Sequence, residues 1–479
     1  MLCRRFLPLI LGAALFIGCQ DDAITDVEPP HITIPANLSA ISGNEFVEDI
    51  MVSDPNGLPV DVSVEGLPSW LSFIPEQSRL SGTPTSDDLA TTEAKITADN
   101  GTSQYSVTVS IRVFSSVQER ELQDEVVRLV DVHTSGLRGV SVAVVDRNGD
   151  AYAAYTGHMG TSASFPAYER SSMFRVASVT KPMTTALILK LVDEGKISLD
   201  DILTDHYDTP LPNAGIMNLR QMLSHTAGVF DHLNSQAFWG HPTFTGSKVW
   251  TVEELVQFAV TNGSRFTPGN SYGYSNTAFC VLGAVVEEVK GIEIGEAFEQ
   301  MLFQPLGLEH ILYDDFSTPS NPIPGIAFNN RTYEYHLTSA GAAGAMVASP
   351  TDVALFGWNV YGGRFVPKEL SDQMNVNIGA SVGGQNYGLG TRIWSRSGIP
   401  HHGHTGNLMD YRNILMYIPQ ADMSIAIHTH NPHANWNTLI NQIFAYAVER
   451  FSDVRVKRLP DGTFEEEIYD EEWINPVWQ

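Results

Sequence analysis

The sequence predicts an all-β sandwich followed by an α+β unit whose sheet is assembled from both of its ends. Two patterns predict it. Between His31 and Phe114, short runs alternate apolar and polar residues and are separated by turn signals at regular spacing. Beyond residue 117, two hairpin patterns, one near each end of the remaining chain, enclose a long stretch of helical periodicity. A length of 479 residues, with 43% hydrophobic and 17% charged side chains, gives enough apolar surface for two or three globular cores.

The elements follow in order. Arg4 and Arg5 precede an apolar run from Phe6 to Gly18, the shape of a secretory signal over residues 1–18, too short to span a membrane comfortably. Gly18-Cys19 resembles a bacterial lipobox, although Phe16 stands where a leucine is usual. That resemblance implies lipidation at Cys19 and a membrane-anchored protein of the bacterial cell envelope, periplasmic or at the cell surface. Gln20-Asp21-Asp22 resembles an acidic surface-sorting signal. Residues 19–30 read as a tether ending in Pro29-Pro30. Cleavage before Cys19 removes Cys3 and leaves Cys280 as the one thiol, so no disulfide framework is expected. Cys280 lies in an apolar helical stretch and is expected to be an inert core residue.

Residues 31–114 carry strand patterns at Val60–Val64 and Tyr105–Val113, with turns at Pro55-Asn-Gly57, Ser81-Gly-Thr-Pro84 and Asn100-Gly101. Gly66-Leu-Pro-Ser-Trp-Leu-Ser-Phe73 and Leu80-Ser-Gly-Thr-Pro84 resemble immunoglobulin/cadherin-like modules of exported bacterial proteins. Such modules are spacers or adhesive elements, which implies contact with the cell envelope. Asp54 is a single carboxylate in a turn and reads as a solvated turn residue rather than a calcium ligand. Next, Leu122, Val126, Leu129 and Val130 recur at helical spacing after Val117. A hairpin then joins Gly139–Asp146 to Ala151–Tyr155 through Asn148-Gly149. Met183–Val192 is an apolar helical run that stops at Gly195, and Pro182 is tolerated in its first turn. A second hairpin, Tyr411–Ile418 with Met423–His428, and a helix from Trp436 to Phe451 close the unit. Residues 453–479 are an acidic extension.

The formal net charge is −27 with only 28 Lys+Arg, which argues against nucleic-acid partners, since phosphate binding needs clustered cations.

The chemistry concentrates in three places. Ser178-Val-Thr-Lys181 opens the Met183–Val192 helix, where free N–H groups and the helix dipole favour developing negative charge. The spacing of three puts Lys181 on the same face as Ser178. A serine hydroxyl needs a proton acceptor to become a nucleophile, and a desolvated lysine can be one. Tyr274-Ser-Asn276 follows Pro268-Gly269 and precedes a helical run from Thr277 to Val289. His404-Thr405-Gly406 comes last.

Ser-x-x-Lys, Tyr-x-Asn and Lys/His-Thr-Gly in this order resemble the signature of the penicillin-recognising serine hydrolases. The Tyr-x-Asn form is that of class C β-lactamases and their DD-peptidase, D-aminopeptidase and esterase relatives. Leu223-Ser-His-Thr-Ala-Gly228, Tyr272-Gly-Tyr-Ser-Asn276, Ser339-Ala-Gly-Ala-Ala-Gly344 and Tyr387-Gly-Leu-Gly390 match as well, and the resemblance covers about residues 117–452. It implies a β-lactamase/DD-peptidase-like antiparallel sheet with flanking helices and a helical subdomain. It implies a seryl acyl-enzyme on Ser178, proton transfer shared by Lys181 and Tyr274, and Asn276 holding either Lys181 or the substrate carbonyl. It also places the substrate along Thr405, Gly406 and Asn407, with the N–H groups of Ser178 and Asn407 as the oxyanion hole. Gly406 is expected to let the strand run close to the substrate. Most β-lactamases carry lysine where this chain has His404; related DD-carboxypeptidases and D-aminopeptidases carry histidine. Gly388-Leu-Gly-Thr-Arg-Ile-Trp394 resembles the stretch in which such a carboxypeptidase places an arginine for the substrate's terminal carboxylate, which implies that role for Arg392. Either Arg392 binds substrate or it is a strand-end surface charge.

A second Tyr-x-Asn, Tyr411-Arg-Asn413, lies in a strand pattern after His404 and is read as a chance match. His401, His402, His404, His428 and His430 invite a zinc reading, but they lack a metal-ligand pattern, so no metal and no cofactor is expected. His225 is read as structural. The expected function is hydrolysis of a small peptide, amide or ester, DD-carboxypeptidase-like first, esterase or class C-type β-lactamase second. A catalytically silent adhesion lipoprotein is the reading of another class, and intact Ser178, Lys181 and Tyr274 speak against it.

Overall fold

A computed structural model describes residues 27–133, 139–158, 167–241, 248–314, 336–408, 411–430 and 436–457, and separates the chain into two compact units, Met1–Val113 and Phe114–Gln479. The signal segment, Cys19 and the acidic tail from residue 458 lie outside the described residues.

The first unit contains β1 (His31–Thr33), β2 (Asn37–Ile41), β3 (Phe46–Asp49), β4 (Met51–Ser53), β5 (Asp61–Glu65), β6 (Leu71–Ile74), β7 (Arg79–Gly82), β8 (Thr91–Asp99) and β9 (Gln104–Phe114). One sheet runs β2-β9-β8-β5, a second runs β3-β7-β6, and β1 pairs with β4. In β8 the buried Ala94, Ile96 and Ala98 alternate with Glu93, Lys95 and Thr97, the period of a sheet with one face inward. Leu38, Ile96 and Val109 from the first sheet meet Phe46, Leu71 and Leu80 from the second in one core, the sandwich architecture. Asp54 Oδ1 accepts the N–H groups of Asn56 and Leu58, and Oδ2 accepts Asn100 Nδ2. Its oxygens serve the turn.

The second unit contains helix α1 (Val117–His133), β10 (Gly139–Val145), β11 (Ala151–Gly157), β12 (Phe174–Arg175), α2 (Thr180–Asp193), α3 (Asn276–Lys290), β13 (Ile311–Tyr313), β14 (Met346–Ala348), α4 (Pro350–Tyr361), β15 (Arg392–Arg396), β16 (Ile399–Leu408), β17 (Tyr411–Ile418), β18 (Met423–Thr429) and α5 (Trp436–Phe451). A further helix, Val252–Asn262, and shorter helical turns fill the stretches between them. A six-stranded antiparallel sheet runs β11-β10-β18-β17-β16-β15, drawing its strands from both ends of the unit. Gly149, at φ 86°, makes the tight turn between β10 and β11. Both faces of the sheet are covered. Val140, Val142, Val144, Ile414 and Ile425 pack with α1 and α5, whereas Ala143, Val145, Leu415 and Ala426 join the larger core that includes α2, α3 and α4. A sheet buried on both sides needs apolar residues at every position, which is why β10, β17 and β18 read as nearly unbroken apolar runs.

Helix α2 is buried from Thr180 through Leu189, as expected of a helix apolar on all sides. Just before it in the chain comes β12, the first strand of a small sheet β12-β14-β13: Arg175 pairs with Val347, and the Val176 N–H donates to Met346 O at 3.0 Å. The turn between β12 and α2 carries Ser178.

Candidate active site

Ala177–Val179 form a 3-10 turn that feeds directly into α2, and Ala177 holds φ at 50°. A side chain in the left-handed region is uncommon and costs backbone strain, here immediately before Ser178. Thr180 fixes the turn: its hydroxyl donates to Ala177 O at 2.7 Å and accepts the Met346 N–H at 3.1 Å. Two groups reach Ser178 Oγ, the Tyr274 hydroxyl at 3.0 Å and Lys181 Nζ at 3.2 Å. Lys181 is fully buried and donates as well to Asn276 Oδ1 at 2.7 Å and Ala343 O at 2.9 Å. Asn276 opens α3; its Nδ2 donates to both oxygens of Asp231 at 3.1 and 3.3 Å, and its backbone N–H donates to Oδ1 at 3.2 Å. Both ends of the amide are therefore engaged, and of the two expected uses of Asn276 the structure has the one that holds Lys181.

His404 lies on β16 beyond the point where β15 pairs, since that pairing ends at Arg392 opposite Gly403. The ring is fully buried. Its Nδ1 is 2.6 Å from Thr405 O, so Nδ1 carries the proton, and Nε2 accepts the Tyr387 hydroxyl at 2.9 Å. Burial, with Arg392 and Lys181 nearby, holds its pKa well below the usual histidine value. His404 is thus neutral, with Nε2 toward Tyr387. Arg392 is no surface charge: it is buried, its guanidinium carbon stands 5.8 Å from the Tyr274 ring centre, and Nη1 donates to Gln385 Oε1 at 3.2 Å.

A family model described as Beta-lactamase matches residues 120–447, well over half of the chain. The chain belongs to the Beta-lactamase family. Its N-terminal module, residues 29–114, matches the model described as "Putative Ig domain". The D-alanyl-D-alanine-carboxypeptidase/endopeptidase AmpH of Escherichia coli K12 is 27% identical over 219 residues, 44% of this chain and 54% of AmpH, so the chain spans about half of that relative's length. The esterase EstB of Burkholderia gladioli is 27% identical over 298 residues, 52% of this chain and 74% of EstB. Among solved structures, the D-stereospecific amidohydrolase of a Streptomyces species superposes with a TM-score of 0.56 at 25% identity, covering 69% of this chain and 97% of that one.

Within this Beta-lactamase-family unit, four residues matter that the motifs did not single out for a role. Asp231 orients Asn276. Tyr387, read only as part of a matching block, caps His404. His225, read as structural, grips the backbone on both sides of Tyr274: its carbonyl accepts the Gly273 N–H at 2.8 Å and its Nδ1 accepts the Ser275 N–H at 3.1 Å. Its ring centre is 4.2 Å from that of Tyr274. Burial and then Lys181 keep it neutral. The fourth is Asn413, which stands on β17 opposite Gly406. His225 and Tyr387 stand in the matching blocks Leu223–Gly228 and Tyr387–Gly390, whereas only the three-dimensional pairing brings Asp231 and Asn413 to the site.

Gly406 has a reason to be glycine besides the expected one. A Cβ there would stand 1.9 Å from Val176 O, so its glycine is required by the turn that carries Ser178 rather than by substrate alone. The remaining histidines form no metal cluster among the described residues. His401 stacks on Trp394, and burial lowers its pKa to about 3; burial takes His402 to about 4 and His428 to about 3. Cys280 is buried in α3, and burial pushes its thiol up to about 12 despite Lys181 nearby. Among the described residues no helix is long and apolar enough to cross a membrane.

Proposed function

We propose that this chain is an exported, lipid-anchored hydrolase that cleaves small peptides or amides at a D-amino acid, in the manner of a DD-carboxypeptidase or D-amino-acid peptidase. The observation that carries this reading is a buried Arg392 beside Tyr274, in a site whose third-motif residue, His404, is neutral. A substrate carboxylate then has one guanidinium fork to bind, and bidentate pairing suits it.

Ser178 Oγ attacks the carbonyl carbon, and its proton passes to Tyr274 or Lys181, both within 3.2 Å. The oxyanion is received by the N–H groups of Ser178 and Asn407. Collapse expels the amine, which takes the proton, and leaves the acyl group on Ser178. Water repeats the sequence, releasing the acid and restoring the hydroxyl. No metal or cofactor enters. Lipidation at Cys19 holds the enzyme at the cell envelope, and the immunoglobulin-like module contacts that envelope.

The test is turnover of peptides ending in D-alanyl-D-alanine, D- and L-amino acid amides, p-nitrophenyl esters and benzylpenicillin, with Ser178→Ala as control. D-selective release is expected, together with a rise in KM of about tenfold in Arg392→Ala for carboxylate-ended peptides only, charged hydrogen bonds being worth about 1.5–3 kcal/mol. Turnover of esters alone would replace this reading with the esterase one, which the match over 74% of EstB favours as second. Efficient benzylpenicillin hydrolysis would make the chain a β-lactamase.

A further inference from the structure

We infer that Asn413 is a positioning residue that sets the oxyanion site, by tying the turn that carries Ser178 to the strand that carries Asn407. The inference rests on the reading above that these two N–H groups receive the oxyanion.

Asn413 Nδ2 has two hydrogens and meets two carbonyls, Arg175 O and Gly406 O, each at 3.0 Å. The first belongs to the last residue of β12, which leads into the turn three residues before Ser178. The second belongs to β16, one residue before Asn407. The residue is fully buried, so water cannot substitute for either bond. A close backbone contact reinforces the tie: Gly406 stands opposite Asn413, and a Cβ on it would lie 1.9 Å from Val176 O. The turn is also fastened to β14, through Val176 N–H to Met346 O and Met346 N–H to Thr180 Oγ1. Neither of those bonds reaches β16. β15 supports β16 only up to Gly403, so residues 404–408 depend on β17 and on this carboxamide for their distance from Ser178. An oxyanion site works only when its donors already stand where charge will develop, and a misplacement of about 1 Å can cost about a hundredfold in rate.

The test compares the full chain with Asn413→Leu, of similar volume with no donor, and Asn413→Ser, too short to span both carbonyls. Kinetics are measured on a p-nitrophenyl ester, alongside inhibition by an arylboronic acid and melting temperature. The boronic acid adds Ser178 Oγ to boron; the serine proton passes to Tyr274 or Lys181, and one boron hydroxyl takes the oxyanion position. Expected is a fall in kcat of about a hundredfold, a matching rise in the boronate Ki, and KM within about threefold. Either variant, if folded, with kcat and boronate Ki unchanged would overturn the inference, whatever its melting temperature. So would a rise in KM at constant kcat, which marks simple loosening. Should Asn413→Leu fail to fold, Asn413→Ser decides. Wild-type ester turnover without D-amino acid release would sink the substrate reading alone. Failure of a fluorophosphonate to label wild-type Ser178 would remove the oxyanion site and the inference with it.

Discussion

Lys181 Nζ meets three oxygens, and two of them can only accept. Ala343 O and Asn276 Oδ1 take two of its N–H groups, and the third direction faces Ser178 Oγ. That direction holds a hydrogen when the amine is charged and a lone pair when it is neutral, so one geometry serves both halves of a proton transfer. The arrangement depends on which way the Asn276 amide points, and Asp231 decides this by accepting from Nδ2. Asp231→Asn removes the charge that fixes the amide. A hydrogen bond to a charged group is worth about 1.5–3 kcal/mol, so kcat is expected to fall about ten- to hundredfold with KM little changed; steady-state kinetics would show an unaltered kcat if Asp231 had no such role. His225 acts one step further out. His225→Phe keeps a ring beside Tyr274 but offers no acceptor to the Ser275 N–H, and an unmet buried donor costs about 1–3 kcal/mol. A lower melting temperature and a lower kcat together are expected, and a variant with wild-type kcat would mean that the grip on residue 275 does not place Tyr274.

At the scale of elements, β16 is where function and fold meet, and it is the strand least legible in advance. It contains Pro400, three histidines and two glycines, a composition poor in strand formers, and it is extended because β17 pairs with it from His402 to Leu408. By contrast β10, β11, β17 and β18 announce themselves, because helices on one or both faces demand apolar side chains. The strands β12–β14, two or three residues each, carry no period long enough to read. The same divide holds in the site. Ser178, Lys181, Tyr274 and Asn276 stand in short motifs with fixed spacing, whereas Asp231 and Asn413 reach the site only through folding, and in sequence Tyr411-Arg-Asn413 reads as a chance repeat of Tyr-x-Asn. The close packing of β16 against the Ser178 turn makes a sharp prediction. Gly406→Ala would place a methyl 1.9 Å from Val176 O, and a backbone carbonyl cannot swing away as a flexible side chain would. A loss of kcat of about a hundredfold or more is expected, with Ser178, Lys181 and Tyr274 all intact; near-normal turnover would show that strand and turn separate without consequence.

The whole molecule inherits a liability from its buried imidazoles. His225, His232, His401, His402, His404 and His428 all have lowered pKa values, in each case first through burial. In the unfolded chain such groups take a proton as pH falls through about 6.5. In the folded chain His402 resists until about 4, and His401 and His428 until about 3. Between those limits the unfolded state binds more protons, so stability is full above about pH 6.5 and falls as the solution is acidified, by about 1.4 kcal/mol per pH unit for each such histidine. Most carboxylates titrate lower, so from pH 6.5 to about 5 the histidines dominate the slope. The first unit has a single histidine, the exposed His31. Scanning calorimetry is therefore expected to show the transition of the second unit nearly level from pH 7.5 to about 6.5 and then moving down in temperature to pH 5, and His428→Leu, which removes one proton acceptor from the unfolded state, should flatten that dependence. A melting temperature that held level or rose on acidification would mean that these rings are not neutral in the folded protein, and the neutral His404 on which the assignment of Arg392 depends would have to be given up with them.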